Sequence, residues 1–307
     1  MLVNFTVIGG NASKDLAKRI ARRLKAKYVD ADTRTFPDGE SKITFRHNLK
    51  KSVVLVVQST YPPVDTNLLQ ILSIISEVKK ISSKIYAIMP YMGYARQDRQ
   101  FLNGEIVTMS VVAKMLQAAG AKKAIVVDIH SKTALRHFKI PTENVSAIPE
   151  LVKYLKKLKL KNPIVVSPDT GGSLRAKKFA DVLKSDFITL KKSRNRKTGK
   201  VSIQSTKADV NGKDLIIVDD IISTGGSVVK ATQFLKKQKC KRVFVVCTHG
   251  LLVGDAEKNI RKAGVTQIIS TNTIPRSISK VDVSGICLLY TSPSPRDQRG
   301  SRMPSSA

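Results

Sequence analysis

Acidic residues are scarce in this chain of 307: 23 Asp and Glu stand against 54 Lys and Arg, a formal charge of +31. A nucleic-acid partner is one reason for such an excess, because a positive surface supplies the nonspecific part of that binding. The lysines, however, recur as KK pairs at 50, 79, 122, 156 and 191 with no RRM, KH or zinc-finger signature beside them. The excess therefore reads as a solvated surface, and nucleic acid is not an expected partner. Cysteine is sparse too: Cys240, Cys247 and Cys287 are odd in number and lack metal-site spacing. Cys240 and Cys247 flank the apolar run Val243–Val246, which makes them reduced thiols of a core. No apolar run reaches membrane-spanning length, and MLVNFTVIGG has neither a charged leader nor a long apolar stretch. A soluble cytoplasmic protein without membrane contact is expected. G-x-x-x-x-G-K-[ST] is missing, so any phosphates must be held otherwise than by a P-loop.

What the chain does contain is organised around Leu215–Ser227, LIIVDDIISTGGS. Leu215 to Val218 form an apolar, β-branched run without polar alternation, the pattern of a strand buried on both faces of a parallel sheet. Asp219 and Asp220 follow at its carboxyl end, where open α/β sheets place their ligands. Two neighbouring carboxylates there can accept hydrogen bonds from the vicinal hydroxyls of a sugar. Ser223, Thr224, Gly225, Gly226 and Ser227 then offer hydroxyls and unobstructed N–H groups at the mouth of a helix from Gly226 to about Lys237, whose dipole favours an anion. A phosphorylated sugar fits this order better than an ordinary βα turn with capping acids.

Similar strand-and-helix units run along the rest of the chain, and the length suffices for two domains. Strands are expected at Phe5–Ile8, Val53–Val57, Ile85–Met89 and Ala124–Val127, with helices from Ser13, Thr66 and Ile106. A Pro-Asp-Gly turn at Thr35–Glu40 carries Phe36, Asp38, Gly39 and Glu40, which taken alone is a loop. Pro90 to Arg99 is richer in aromatic and guanidinium groups than a plain linker; Arg96 and Arg99 can take phosphate oxygens bidentately, and Gln97 and Asp98 offer directional hydrogen bonds. His130 stands at a strand terminus near Asp128, a setting for a metal ligand or proton donor. Pro141–Pro149 is the expected domain junction. Beyond it, a strand at Ile164–Val166 ends at Asp169, and a basic helix runs to Leu183. Leu190–Lys200 packs six cations into a stretch without an apolar anchor, which is either a disordered arm or a flap that orders over a polyphosphate.

Four of these segments resemble a family. VDDIISTGGS looks like the loop that binds phosphoribosyl pyrophosphate (PRPP) in phosphoribosyltransferases and PRPP synthetases. PYMGYARQDR resembles a segment that PRPP synthetases have and phosphoribosyltransferases lack, and the D-x-H at Asp128–His130 and S-P-D-x-G-G at Ser167–Gly172 also resemble the PRPP synthetase pattern. The resemblance covers about residues 1 to 285 and is of the archaeal type, since Ser223 replaces an Asp common in bacterial loops and the flap is short. It implies an α/β fold of two phosphoribosyltransferase-like domains, each with a mainly parallel sheet flanked by helices, at 1–142 and 143–285. It also implies transfer of the β,γ-diphosphoryl group of Mg2+-bound ATP to the 1-hydroxyl of ribose 5-phosphate.

Residue by residue, the resemblance assigns Phe36, Asp38, Gly39, Glu40, Arg96, Gln97 and Arg99 to ATP, with Phe36, Asp38 and Glu40 reaching a neighbouring subunit of a homo-oligomer. Asp219, Asp220 and Ser223 to Ser227 take ribose 5-phosphate. His130 and Asp169 hold magnesium, with His130 near the transferred group, and Lys192 and Arg194 of a K-x-R flap stabilise its charge. His249, in a Thr-His-Gly segment, is implied to line the sugar site. A phosphoribosyltransferase would lack the ARQDR segment, and a non-catalytic PRPP-synthetase-associated protein would lack flap or metal residues. Residues 286–307 are Ser/Pro/Arg-rich where the family has a terminal helix, and are expected to be a disordered or non-native tail.

Overall fold

A computed structural model of the chain describes residues 4–45, 49, 52–194, 201–205 and 209–288. They form two compact units: the first runs to Val145 and takes back the chain from Val283, and the second is Ser146–Asp282.

In the first unit the apolar β-branched runs become the centre of a parallel sheet. β1 (Phe5–Gly9) is followed by α1 (Lys14–Leu24), whose Leu16, Ala17, Ile20 and Ala21 make a buried stripe at helical spacing. β2 (Lys27–Asp30) pairs beside β1, and β3 (Asp32–Thr35) and β4 (Ser41–Thr44) form a separate antiparallel hairpin. β5 (Val53–Val57) is buried at every residue and leads into α2 (Val64–Lys79). β6 (Ile85–Met89), α3 (Thr108–Ala119), β7 (Lys123–Val127), the short α4 (Lys132–Leu135) and β8 (Thr142–Val145) complete the unit. The strands lie in the order β2-β1-β5-β6-β7-β8, all parallel.

The second unit opens with α5 (Ile148–Lys156), β9 (Ile164–Ser167) and α6 (Ser173–Leu183). β10 (Asp186–Arg194) pairs parallel with β9 and then antiparallel with β11 (Val201–Ser205). β12 (Asp214–Ile222), α7 (Gly226–Lys237), β13 (Arg242–Gly250), α8 (Ala256–Lys262), β14 (Gln267–Thr271) and β15 (Ser279–Val281) follow. The order is β11-β10-β9-β12-β13-β14-β15, and every pairing except β10 with β11 is parallel. Each unit is thus an α/β domain built on a parallel sheet, as expected.

The boundary between the two units falls after Val145, inside the stretch 141–149, where Thr142–Val145 forms the edge strand β8, paired to β7 from Ala124↔Thr142 to Val127↔Val145. Three expectations need correction. Leu190–Arg194 belongs to a β ribbon rather than a formless tongue, with Lys192 opposite Ile203 and Arg194 opposite Val201; cross-strand pairing supplies the order that its composition does not. Asp219 and Asp220 do not end their strand: β12 continues through Ile222, with Ile221 paired to His249. The expected tail begins inside packed structure, since Ile286–Leu288 form a 3-10 turn with Ile286 and Cys287 buried. Residues 289–307 lie outside the described residues.

The two sheets share a topological feature. Strand order reverses between β1 and β5 in the first and between β9 and β12 in the second, and such switch points open a crevice at the carboxyl ends of the strands. In the first unit this crevice is filled by the chain itself. Gln58 Oε1 accepts the N–H of Ala12 at 3.0 Å, and its amide donates to Asn67 Oδ1 and Gln70 Oε1, both at 3.2 Å. Ser13 Oγ accepts the N–H of Ser59 at 2.9 Å. A Cβ on Gly10 would come within 2.4 Å of Gln58 Oε1. Side chains thus occupy the place where a ligand would otherwise sit.

Candidate active site

In the second unit the switch point lies between two of the segments singled out in the sequence. β9 delivers Ser167, Pro168 and Asp169 to one side, and β12 delivers Asp219 to Ser227 to the other. Among the described residues, the N–H groups of Thr224, Gly225 and Gly226 have no hydrogen-bond partner and no side chain caps α7. Ser223 instead presents its carbonyl to Val253 N–H at 3.0 Å, which ties the loop to the segment after β13. Three successive free N–H groups at a helix N-terminus can hold an anion. Gly225 makes this possible: it sits at φ +73°, and a Cβ there would press on Ile260 Cδ1 at 2.8 Å. Ser223 and Ser227 are half-buried beside it, while Thr224 and Gly226 are exposed.

The two acids are not equivalent. The side chain of Asp219 is 26% exposed and that of Asp220 only 3%. Between them lies Arg175 of α6, whose Nη1 is 3.2 Å from Asp219 Oδ1 and whose Nη2 is 3.0 Å from Asp220 Oδ2. Asp219 Oδ1 also accepts the N–H of Asp220 at 2.9 Å. Burial, a hydrogen bond with the Asp220 carboxyl and the Asp220 charge push Asp219 up to about 7, against the pull of Arg175. Burial, with the same two carboxylates behind it, also pushes the Cys247 thiol far up, so that this neighbour on β13 stays protonated.

Asp169 is half-buried, with Oδ1 accepting the N–H of Gly172 at 3.2 Å and its carbonyl accepting Ser167 Oγ–H at 2.7 Å. It therefore shapes the turn into α6, whatever else it does. His249 is buried at the end of β13 with Nδ1 2.9 Å from Thr273 Oγ1. The backbone of Lys192 and Arg194 lies in β10; their side chains, and residues 195–200, fall outside the described residues.

In the first unit, Phe36, Asp38, Gly39 and Glu40 occupy the tip of the β3–β4 hairpin. Phe36 N–H donates to Glu40 O at 2.8 Å, Gly39 N–H to Phe36 O at 2.9 Å, and Glu40 N–H to Asp38 Oδ1 at 3.1 Å. Asp38, Gly39 and Glu40 are exposed; Phe36 is half-buried, with the Arg34 guanidinium 5.3 Å from its ring centre. A cleft of about 530 Å3 opens between this tip and α2, lined by Asp38, Glu40, Asp65 and Gln70 among others. Tyr94, at φ +63°, donates its hydroxyl to Asp65, and that hydrogen bond, then burial, raises its pKa.

The loop after β6 leaves Arg96, Gln97 and Arg99 exposed, Arg99 lying 5.0 Å from the ring centre of Phe101. Gln97 Oε1 accepts the Thr108 hydroxyl at 2.7 Å, and Asp98, expected beside it as a ligand group, is buried instead with its carbonyl 2.7 Å from His137 Nε2. Asp128 leaves β7 at φ +39°, a left-handed conformation that aspartate tolerates better than most residues, and His130 emerges exposed two residues later.

Arg175 is the residue that sequence reasoning missed. Inside a helix with Lys177 and Lys178 it looked like more surface charge. Its signal was its spacing: it lies four residues before Phe179 and beside Ala176, both buried, so it sits at the edge of the apolar stripe of α6. A cation on that face needs an acid partner from the sheet.

Among the described residues no three His, Cys, Asp or Glu side chains gather into a metal cage, and no helix is long and apolar enough to cross a membrane. Residues 5–120 match the family model for the N-terminal domain of ribose phosphate pyrophosphokinase, and residues 143–281 match the phosphoribosyl transferase domain. The ribose-phosphate pyrophosphokinase of Pasteurella multocida is 37% identical over 271 residues, 87% of this chain and 86% of that protein. The enzyme of the same name from Sulfurisphaera tokodaii is 36% identical over 279 residues, 90% of this chain and 96% of its own. A crystal structure of phosphoribosylpyrophosphate synthetase from Mycobacterium smegmatis superposes with a TM-score of 0.81 at 30% identity, covering 89% of this chain and 90% of that one. With matches of this extent across both units, the chain belongs to the ribose-phosphate pyrophosphokinase family, a family of kinases.

Proposed function

We propose that the protein is a cytoplasmic enzyme that transfers the β,γ-diphosphoryl group of ATP to the 1-hydroxyl of ribose 5-phosphate, giving PRPP and AMP for nucleotide biosynthesis. The observation that carries this reading is the cradle of Thr224, Gly225 and Gly226 N–H groups, which begins four residues beyond an acid pair. A dianionic phosphate at the cradle and a diol at Asp219 and Asp220 lie in the order that a sugar phosphate presents.

In this reading Ser223, Thr224, Gly225, Gly226 and Ser227 hold the 5-phosphate, and the acid pair orients the ribose. Arg96, Gln97 and Arg99 bind the ATP, joined by Phe36, Asp38, Gly39 and Glu40 from a second copy of the chain in a homo-oligomer. The 1-hydroxyl oxygen forms a bond to the β-phosphorus as the bond from that phosphorus to the bridging oxygen of AMP breaks, and the hydroxyl proton is released. Lys192 and Arg194 offset charge on the transferred group, the usual protein contribution to such transfers. Magnesium fits the residues present, since it rides on substrate phosphates with one or two protein ligands rather than in an all-protein cage; His130 and Asp169 would hold it. When bound it neutralises charge on the triphosphate.

The test is product analysis with ATP, ribose 5-phosphate and magnesium. PRPP with AMP in equal amount is expected. ADP in place of AMP, or no product from folded protein, overturns the reading.

A further inference from the structure

Two carboxylates on consecutive residues of one strand repel each other, and both are partly desolvated. Something must hold them together in a usable geometry. Arg175 is the cation that the described structure places on both, one guanidinium nitrogen to each. A planar fork holds two acceptors at a fixed spacing, which a lysine ammonium on a flexible stem does less well. The consequences for the two acids differ, because Asp220 is almost fully covered and Asp219 keeps a quarter of its side chain open at the crevice.

We propose that Arg175 is a positioning residue for the sugar site: it holds Asp220 as a buried counterion and aims Asp219, the acid that meets the ribose hydroxyls. The two acids then take unequal shares in orienting the ribose: Asp219 is the more exposed to its hydroxyls, and Asp220, almost fully covered, anchors the fork that holds the pair. The proposal rests on reading the loop as a ribose 5-phosphate site. Arg175 also ties α6, which follows the Asp169 turn, to β12, so both flanks of the crevice share one fixed link. It is the side-chain charge opposing the burial and repulsion that raise Asp219. Without it, Asp219 would take up a proton more readily and lose acceptor strength towards a hydroxyl.

The test is calorimetric titration with ribose 5-phosphate, together with steady-state kinetics, on the full chain and on R175Q, R175K, D219N and R175Q/D220N. For R175Q we expect ribose 5-phosphate affinity and its KM to worsen by about tenfold or more, the scale of one charge-assisted hydrogen bond, with the KM for ATP within about twofold. R175K should recover only part of the loss. R175Q/D220N, which removes the buried charge along with its partner, should bind better than R175Q, whereas D219N should bind as weakly as R175Q with Arg175 present. If R175Q fails to fold, R175Q/D220N against D220N carries the same comparison. Wild-type protein that does not bind ribose 5-phosphate overturns both the functional reading and this proposal. A wild type that binds, with R175Q binding equally well or with both KM values rising together, overturns the proposal alone.

Discussion

Asp214 and Arg242 stand opposite each other at the amino-terminal ends of β12 and β13, far along the strands from the acid pair. The Asp214 carboxylate is fully buried and accepts Arg242 Nε at 2.9 Å, Arg242 Nη2 at 2.5 Å and the N–H of Lys161 at 2.7 Å. Replacing Arg242 by Met keeps the stem that covers the strand and leaves a buried charge without its cation. Removing one partner of a buried pair costs about 3–5 kcal/mol. Arg242 is itself a third exposed and Lys161 N–H remains, so the lower end applies, about 3 kcal/mol. For a domain of this size that is a fall in Tm of roughly 10 °C.

The loss must depend on pH. Burial is the largest influence on Asp214 and raises its pKa, but the Arg242 hydrogen bonds, the Lys161 N–H and the charges of Arg242 and Lys241 together bring it below the usual carboxylate value. In the wild type its stabilisation is therefore present above the unfolded pKa of about 4 and is lost as pH falls through the lower folded value. In R242M burial acts with less opposition, the folded pKa moves above the unfolded one, and stability falls as pH rises from about 4. Urea unfolding followed by circular dichroism at pH 7.5 and pH 4.5 reads both effects. A loss below about 1 kcal/mol at pH 7.5, or an equal loss at the two pH values, would refute the reasoning.

Two further substitutions probe the switch points. G225A forces an alanine to φ +73° against Ile260; it should cost about 1–2 kcal/mol of stability by thermal melting and weaken ribose 5-phosphate binding by more than tenfold in calorimetry, and unchanged binding would remove the cradle from its assigned role. Q58L leaves Ala12 N–H and the amide oxygens of Asn67 and Gln70 without their buried partner, so a loss of about 2–4 kcal/mol in urea unfolding is expected, while a neutral result would mean that the first crevice is not filled by this network.

The sequence alone determined the interior strands and the order of residues at their ends. Val53–Val57 and Leu215–Val218 are unbroken apolar runs because strands buried on both faces need no polar alternation, and that pattern survives without knowledge of any partner. The turn from Ser223 to Ser227 was legible for a similar reason: a glycine pair directly after a strand marks the left-handed turn into the next helix, which Gly225 supplies. What the neighbours of a strand decide was not legible. The β3–β4 hairpin, the edge strand β8 and the ribbon of β10 with β11 are short or polar, and their pairing is what makes them strands.

Only the tertiary structure decided that the two switch points differ, one crossed by Gln58 and its partners and the other bordered by the N–H groups of Thr224, Gly225 and Gly226, unpartnered among the described residues. Only it separated Asp219 from Asp220, which adjacent letters present as a matched pair. It did so through Arg175, 44 residues earlier in the chain. Electrostatic partners are chosen by distance in space, and a one-dimensional pattern records only distance along the chain.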